Sequence, residues 1–257
     1  MKKGNTMGIF FSPTAHTREA VQHLAAALDD NAHLHDLTSY ERGALARSFA
    51  PEDLVVVGAP VYGGRIPALA AERLQQTKGS NTPAIAVVTY GNRDYEDALL
   101  ELKTILEQNG FVVIGAAALI AEHSIVHSVG HDRPDEADWK QLEQFAAQMG
   151  EKLEQKQIHS VAVTGNQPYR SYNGIPLKPK ASHACVRCGF CVRECPAGAI
   201  PGKNPRKTDR KKCISCMRCV TYCPQKARSV NELLWKVTVN KLEKACSVRR
   251  ENEFFVS

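Results

Sequence analysis

CVRCGFCVRECP, residues 185–196, is answered by CISCMRCVTYCP, residues 213–224. Both stretches have the form C-x2-C-x2-C-x3-C-P, in which thiolates recur at the spacing used for iron-sulfur cubanes. The first three cysteines of a run can grip three corners of one cubane, and the fourth, turned away just before proline, reaches the other. The pattern predicts two [4Fe-4S] clusters. Cys185, Cys188, Cys191 and Cys223 are expected on cluster I, and Cys213, Cys216, Cys219 and Cys195 on cluster II. Zinc is usually held by two separated CxxC pairs, and a disulfide framework belongs to exported chains, so neither fits this spacing. The ninth cysteine, Cys246, lies outside both runs and reads as a small buried hydrophobe. As an internal repeat, the region from about Ser182 to Val230 is expected to form a pseudo-twofold mini-domain whose core is largely its own cofactors.

Charge is distributed unevenly about this repeat. Residues 1–150 carry 12 Lys+Arg against 19 Asp+Glu, whereas residues 151–257 carry 21 against 8. A basic C-terminal part can signal nucleic acid or an anionic membrane. No helix-turn-helix or aromatic-interleaved pattern accompanies the basic run KNPRKTDRKK, residues 203–212, and each cubane with four thiolates is itself anionic. An acidic redox partner protein is therefore expected, with no nucleic acid. The only early apolar run, Met7 to Phe11, is too short for a signal or membrane segment, so a cytoplasmic protein without membrane insertion is expected.

N-terminal to the repeat, short apolar runs alternate with helical patterns, the sequence form of an α/β fold with a doubly wound, five-stranded parallel sheet. Strands are predicted at Gly8 to Phe11, Leu34 to Leu37, Leu54 to Gly58, Ile85 to Thr89 and Val112 to Ile120. Helices are predicted at Thr17 to Leu28, Pro67 to Gln75, Tyr95 to Asn109 and Asp135 to Gln155. The α/β domain is assigned residues 1–156, a proline-punctuated linker residues 157–181, the cluster domain residues 182–230 and a helical tail residues 231–257, which is expected to pack back on one of the domains.

In such a sheet, ligands bind beyond the carboxyl ends of the strands, at the switch point between the first and third. After the first strand comes Ser12-Pro13-Thr14-Ala15-His16-Thr17, hydroxyls and amides running into a helix N-terminus, which suits a phosphate. The loops after the third and fourth strands carry Tyr62-Gly63-Gly64 and Tyr90-Gly91-Asn92, an aromatic beside glycine in each, as a flat ring would need. His123 and Ser124, after the fifth strand, read first as hydrogen-bonded loop residues.

The stretches GAPVYGGRIP (58–67), YGNRDYEDALLELK (90–103), AEHSI (121–125) and RRENEFF (249–255), together with the cysteine runs, resemble the anaerobe-associated fusions of a flavodoxin-like domain to a bacterial two-cluster ferredoxin, the ferrodoxins. The resemblance implies FMN beside the two clusters. It implies that Ser12, Thr14, His16 and Thr17 cradle the FMN phosphate and that Pro60, Val61, Tyr62, Gly63, Thr89, Tyr90, Gly91 and Asn92 border the flavin ring. One position departs from the usual S/T-x-T-G-x-T loop, since Ala15 stands where glycine is expected. If that position needs positive φ, alanine costs about 1 kcal/mol or more.

Two one-electron clusters and a flavin able to take one or two electrons would form an internal electron-transfer chain serving an external partner. The alternative is a flavin-dependent reductase of a small-molecule substrate, fed by the clusters, whose substrate cavity would be lined by residues such as Arg65, Arg93 and His123. Direct NAD(P)H use is disfavoured because no G-x-G-x-x-G opens a helix. A non-redox, cluster-stabilised binding module is the third class.

Overall fold

In the computed structural model, residues 4–40 and 45–257 are described. Five parallel strands run through the first half: β1 (Thr6–Phe10), β2 (His33–Asp36), β3 (Leu54–Pro60), β4 (Thr82–Tyr90) and β5 (Phe111–Ile120). β3, β4 and β5 are near-continuous apolar runs because both faces of the sheet are covered. On one face α1 (His16–Leu28) and α4 (Glu136–Glu154) bury Leu24, Val56, Ile85 and Phe145. On the other, α2 (Ala68–Leu74) and α3 (Ala98–Gln108) bury Leu74, Leu99, Leu102, Val55 and Val57. Val55, Val56 and Val57 thus alternate between the two cores, as the strand period requires. Asp135 caps α4 in a reciprocal capping box with Asp138, which fixes where that helix starts.

The parallel strands lie in the order β2-β1-β3-β4-β5, the flavodoxin-like arrangement with its switch point between β1 and β3. The expected five-stranded sheet is, however, six-stranded. A last strand, β6 (Glu253–Val256), pairs antiparallel with β5 in the register Glu253↔Ala118 to Val256↔Gly115. The tail is therefore not helical throughout. Its short strand is held by alternation: Phe254 packs on Phe145, with ring centroids 5.1 Å apart, while Phe255 meets the opposite core. The pairing also covers the polar backbone edge of β5.

The segment 157–181 is tied to the α/β body. The Val161 amide donates to the Val113 carbonyl at 2.8 Å, and the Asp97 carboxylate accepts from the amides of Asn166 and Arg170 at 2.8 and 2.7 Å. Beyond it, the cysteine repeats carry only the four-residue helices α5 (Phe190–Arg193) and α6 (Arg218–Thr221) and one two-residue ladder, Lys180–Ala181 with Arg228–Ser229. The helix α7 (Glu232–Ala245) follows, started by Asn231, whose side chain accepts from the Leu234 amide. Among the described residues no helix is long and apolar enough to cross a membrane.

Candidate functional site: two cysteine cavities beside a switch-point cavity

The repeats fold as two copies of one loop. Arg187 and Ser215 occupy matching positions with φ 56° and 57°, and Gly189 and Met217 match with φ 77° and 61°. These left-handed turns bend each loop around a small cavity. One is lined by Cys185, Cys188, Cys191 and Cys223, the other by Cys213, Cys216, Cys219 and Cys195. In each, three cysteines of one run meet the fourth of the other. Backbone amides already point at three of the sulfurs: Ala199 N to Cys195 Sγ at 3.3 Å, Ser215 N to Cys213 Sγ at 3.4 Å and Ala227 N to Cys223 Sγ at 3.3 Å. Such bonds stabilise sulfur bearing negative charge.

Arg228 is a further test of whether these cavities suit an anionic group. Its buried guanidinium donates to the carbonyls of Pro205 and Pro179, at 2.6 and 3.1 Å, and to Thr208 Oγ1 at 2.5 Å, and its Nη1 lies 3.9 Å from Cys191 Sγ. Among the described residues it has no carboxylate partner. A buried charge needs compensation, and thiolate-bound clusters on either side would supply it. Burial pushes the Cys219 thiol up to about 11 and the Cys216 thiol well above its ordinary value. These sulfurs would carry negative charge only once metal displaces the proton.

A larger cavity, about 510 Å³, opens at the switch point of the sheet, within the range of small-molecule sites. Ten of the twelve residues expected at the flavin line it: Thr14, His16, Thr17, Pro60, Val61, Tyr62, Gly63, Thr89, Tyr90 and Gly91. Ser12 and Asn92 do not. The Ser12 hydroxyl accepts from the Arg18 amide at 3.0 Å, so it caps α1 from within the loop while Ala15 offers no capping atom. The Asn92 amide is committed to the tail: it donates to the carbonyls of Cys246 and Val248 at 3.0 Å each and accepts from the Arg250 amide at 2.9 Å.

The two loop glycines also act differently from the expectation that they admit a ligand ring. A Cβ on Gly63, at φ 59°, would stand 2.3 Å from the Tyr172 ring, and one on Gly91 would stand 2.6 Å from His123. They admit rings of the chain itself. His123 is fixed there by its Nδ1, which accepts from the amides of Ile125 and Val126 at 3.2 and 3.1 Å. Burial, followed by the charges of His127 and Arg93, lowers its pKa to about 4, so the ring is neutral. Tyr90 is buried, its hydroxyl has no hydrogen-bond partner among the described residues, and burial raises its pKa to about 12. Thr17 and Thr89 bond each other through their hydroxyls at 2.7 Å.

Walls that sequence reasoning missed come from far along the chain. Tyr172 and Ile175 precede the cysteine repeats, Ile214 and Ser215 lie between Cys213 and Cys216, and α7 contributes Leu234, Val237 and Leu242. α7 is held by Trp235 Nε1, which donates to the Ile125 carbonyl at 2.9 Å, and by Ser128, which donates to Glu243 at 2.7 Å. Of the residues named for a substrate cavity, Arg93 and His123 line this space, whereas Arg65 is bound twice by Glu101, at 2.8 and 2.6 Å, and lies outside it. The Cys246 thiol is half-buried beside the Gly91 carbonyl.

The cysteine-bearing part touches the body directly. Arg218 of α6 donates to the Pro13 carbonyl at 3.2 Å and to Glu194 at 2.5 Å, and buried Arg73 of α2 donates to the Pro196 carbonyl at 2.8 Å. Residues 184–228 match the family of 4Fe-4S dicluster domains. The chain is a flavodoxin-like domain followed by a dicluster domain. Over 55 residues it is 42% identical to a subunit of the ion-translocating oxidoreductase complex of Methanosarcina acetivorans, covering 21% of this chain and 21% of that protein. The match thus spans about a fifth of that curated relative's length. The structure is also similar to a flavodoxin from Streptococcus pneumoniae TIGR4 (18% identity, 58% of this chain and 99% of that chain, TM-score 0.43). It is similar as well to flavodoxin 2 from Bacillus cereus (14% identity, 58% and 99%, TM-score 0.44). The flavodoxin-like fold rests on the strand order and not on these two likenesses. The dicluster domain rests on the cysteine spacing and the two cavities that gather the thiols.

Proposed function

We propose that this chain is an electron-transfer protein that passes electrons between an external redox partner, two [4Fe-4S] clusters and FMN. Residues 1–156 would bind the FMN, residues 182–230 the clusters, and residues 157–181 would join the two. The observation that carries this reading is that one cavity is walled both by the loops after β1, β3 and β4 and by Ile214 and Ser215, which lie between two cysteines of the second repeat. Cys213, Cys216, Cys219 and Cys195 would hold the cluster nearer the flavin, and Cys185, Cys188, Cys191 and Cys223 the farther one. When bound, the flavin supplies a centre that accepts electrons one or two at a time.

The chain's own residues would position it. The first-turn amides of His16 and Thr17, which unlike those of Arg18 and Glu19 are not taken by Ser12 and Ala15, would receive the phosphate together with the side chains of Thr14 and His16. Tyr62 stands between the cavity and the second repeat: burial, then the nearby Cys216, raises its pKa well above the ordinary value, so it remains an uncharged ring. Helix α7 would keep water from the ring's edge. The hydrogen bonds of Arg73 to the Pro196 carbonyl and of Arg218 to the Pro13 carbonyl would keep the two parts close, as rapid transfer within one molecule requires.

Rapid mixing tests the coupling. After the clusters of the anaerobically loaded protein are reduced, flavin absorbance should bleach at a rate independent of protein concentration. Cys213→Ser should slow that phase while leaving the flavin bound. A rate rising linearly with protein concentration would mean that transfer occurs between molecules and would end this reading.

A further inference from the structure

We propose that the face of the dicluster domain around Cys188 is the docking surface for an acidic one-electron carrier protein, and that electrons enter there and leave toward the cavity through the second repeat. The proposal rests on the electron-transfer reading above and adds where the partner binds and what its surface is like.

The two repeats share a backbone but differ in surroundings. Cys216 is buried, and its neighbours Ile214 and Ser215 wall the switch-point cavity. Cys188 is exposed, and Val186 beside it is 63% exposed. The first repeat therefore presents its sulfur edge to solvent, while the second presents its edge to the protein interior. Electron transfer needs close approach, so an external partner meets the first repeat sooner than the second.

The rim around Cys188 is basic. Arg187 and Arg193 are exposed, and the Arg193 Nη1 would lie 3.1 Å from a Cβ on Gly189, which places it against the same loop. Exposed Lys226 follows the Cys223-Pro224 pair that lines this cavity. Arg206 donates to the carbonyls of His183 and Cys185 at 3.2 and 3.3 Å. Residues 182–230 hold 11 Lys+Arg and only two acidic residues, Glu194 and Asp209. Glu194 is engaged by Arg218 at 2.5 Å, and the Asp209 carboxylate accepts from the amides of Lys211 and Lys212 at 2.9 and 3.3 Å. Neither neutralises the rim.

An exposed apolar residue and a cluster edge within a basic ring match a partner with an acidic ring around its own redox centre. Opposite charge steers encounter without requiring a large interface. A nucleic acid would satisfy the charge but could not deliver an electron to the exposed cysteine edge. At each encounter the carrier is oxidised by one electron and this chain is reduced by one, with no bond made or broken. Two encounters supply the pair of electrons that a flavin takes up with two protons from water.

The test uses the full chain loaded with iron-sulfur and flavin, mixed with a reduced plant-type [2Fe-2S] ferredoxin as the acidic carrier. Two triple variants carry the same change of charge beside different cavities: Arg187→Glu/Arg193→Glu/Lys226→Glu around Cys188, and Arg210→Glu/Lys211→Glu/Lys212→Glu beside Cys213. The first should lower the second-order rate of cluster bleaching at low salt by about tenfold or more and flatten its salt dependence. At about 0.1 M salt, where the screening length falls to about 10 Å, the second should lower it by less than about twofold and the first should still lower it severalfold. Unchanged iron content and unchanged reduction by dithionite establish that both variants are intact. Equal losses in the two variants, a loss only in the second, or a wild-type rate indifferent to salt would overturn the proposal. Failure of the electron-transfer reading would look different, because cluster bleaching would then proceed without the flavin phase that follows it.

Discussion

The flavodoxin-like domain and the dicluster domain reach order by opposite routes. The first has two apolar cores, one on each face of its sheet, including fully buried Ile9, Leu24, Ile85, Leu99, Leu102, Leu106 and Ile114. Within residues 182–230 the buried apolar side chains are few: Pro196, Ala199, Ile200, Pro205, Cys216, Met217 and Ala227. Its two helices have four residues each, too short to be stable alone. It also buries Arg228 without a carboxylate partner among the described residues and holds several non-glycine residues at positive φ, both of which oppose folding. Apolar periodicity thus specifies one domain, whereas the other, poor in core of its own, would owe its order to the metal that its cysteines bind.

The sharpest way to break this comparison is to take the iron away. Chelation under reducing conditions is expected to unfold residues 182–230 while the six-stranded body persists. Amide exchange followed peptide by peptide should show protection lost across the cysteine repeats and retained in β3, β4 and β5. If the repeats stayed protected without iron, their order would have to come from docking on the body through Arg73 and Arg218, and the contrast between the domains would fall.

How much of each domain could be read from sequence follows from the same difference. The cysteines were legible because their spacing is dictated locally by the cubane they would surround, and the two cavities gather the same two sets of four. β3, β4 and β5 were legible because each is a long apolar run, whereas the short β2, His33–Asp36, is marked by little beyond its place between α1 and β3. β6 was not: four residues with two phenylalanines are too short to separate strand from helix, and the partner strand lies more than a hundred residues away in the chain. The resemblance implies Asn92 at the flavin ring, yet its hydrogen bonds go to Cys246, Val248 and Arg250, contacts that no local pattern announces. The cavity walls from Tyr172 and α7 escaped for the same reason.

A smaller effect separates the domains by pH. His123 belongs to the body, and its folded pKa of about 4 lies below the ordinary 6.5. The unfolded chain binds a proton there as pH falls below about 6.5, whereas the folded chain resists until about 4. Its contribution to stability is therefore complete above the unfolded value and lost as pH drops through that window, by up to about 3 kcal/mol. His123→Asn keeps an acceptor for the amides of Ile125 and Val126 but removes the titration. Denaturant unfolding of the body at pH 7 and pH 4.5 should show a smaller loss in this variant than in wild type. An equal loss would assign the acid sensitivity to other groups.

The smallest expected effect concerns a strained residue at the mouth of the candidate site. Ala15 sits at φ 79°, ψ −37°, immediately before α1, a region that an L-residue enters at a cost of about 1–2 kcal/mol. Its carbonyl accepts from the Glu19 amide at 3.0 Å while Ser12 takes the Arg18 amide, so this backbone turn is locked into the start of the helix. Glycine would remove the strain but would also enlarge the unfolded ensemble, which offsets part of the gain. The net expectation for Ala15→Gly is a body more stable by about 0.5–1 kcal/mol. If flavin selects this same loop shape, its affinity should change by less than about twofold, since the strain is common to the free and bound forms. Iron content should not change, because the hydrogen bond from Arg218 to this loop goes to the Pro13 carbonyl, which the substitution leaves in place. Titration of the flavin-free protein with FMN, read by quenching of flavin fluorescence, measures the affinity, and thermal unfolding of the body measures the stability. A glycine variant that binds more weakly would mean that alanine's restriction holds the loop in its binding shape, making the departure at position 15 a device of this chain and not a defect.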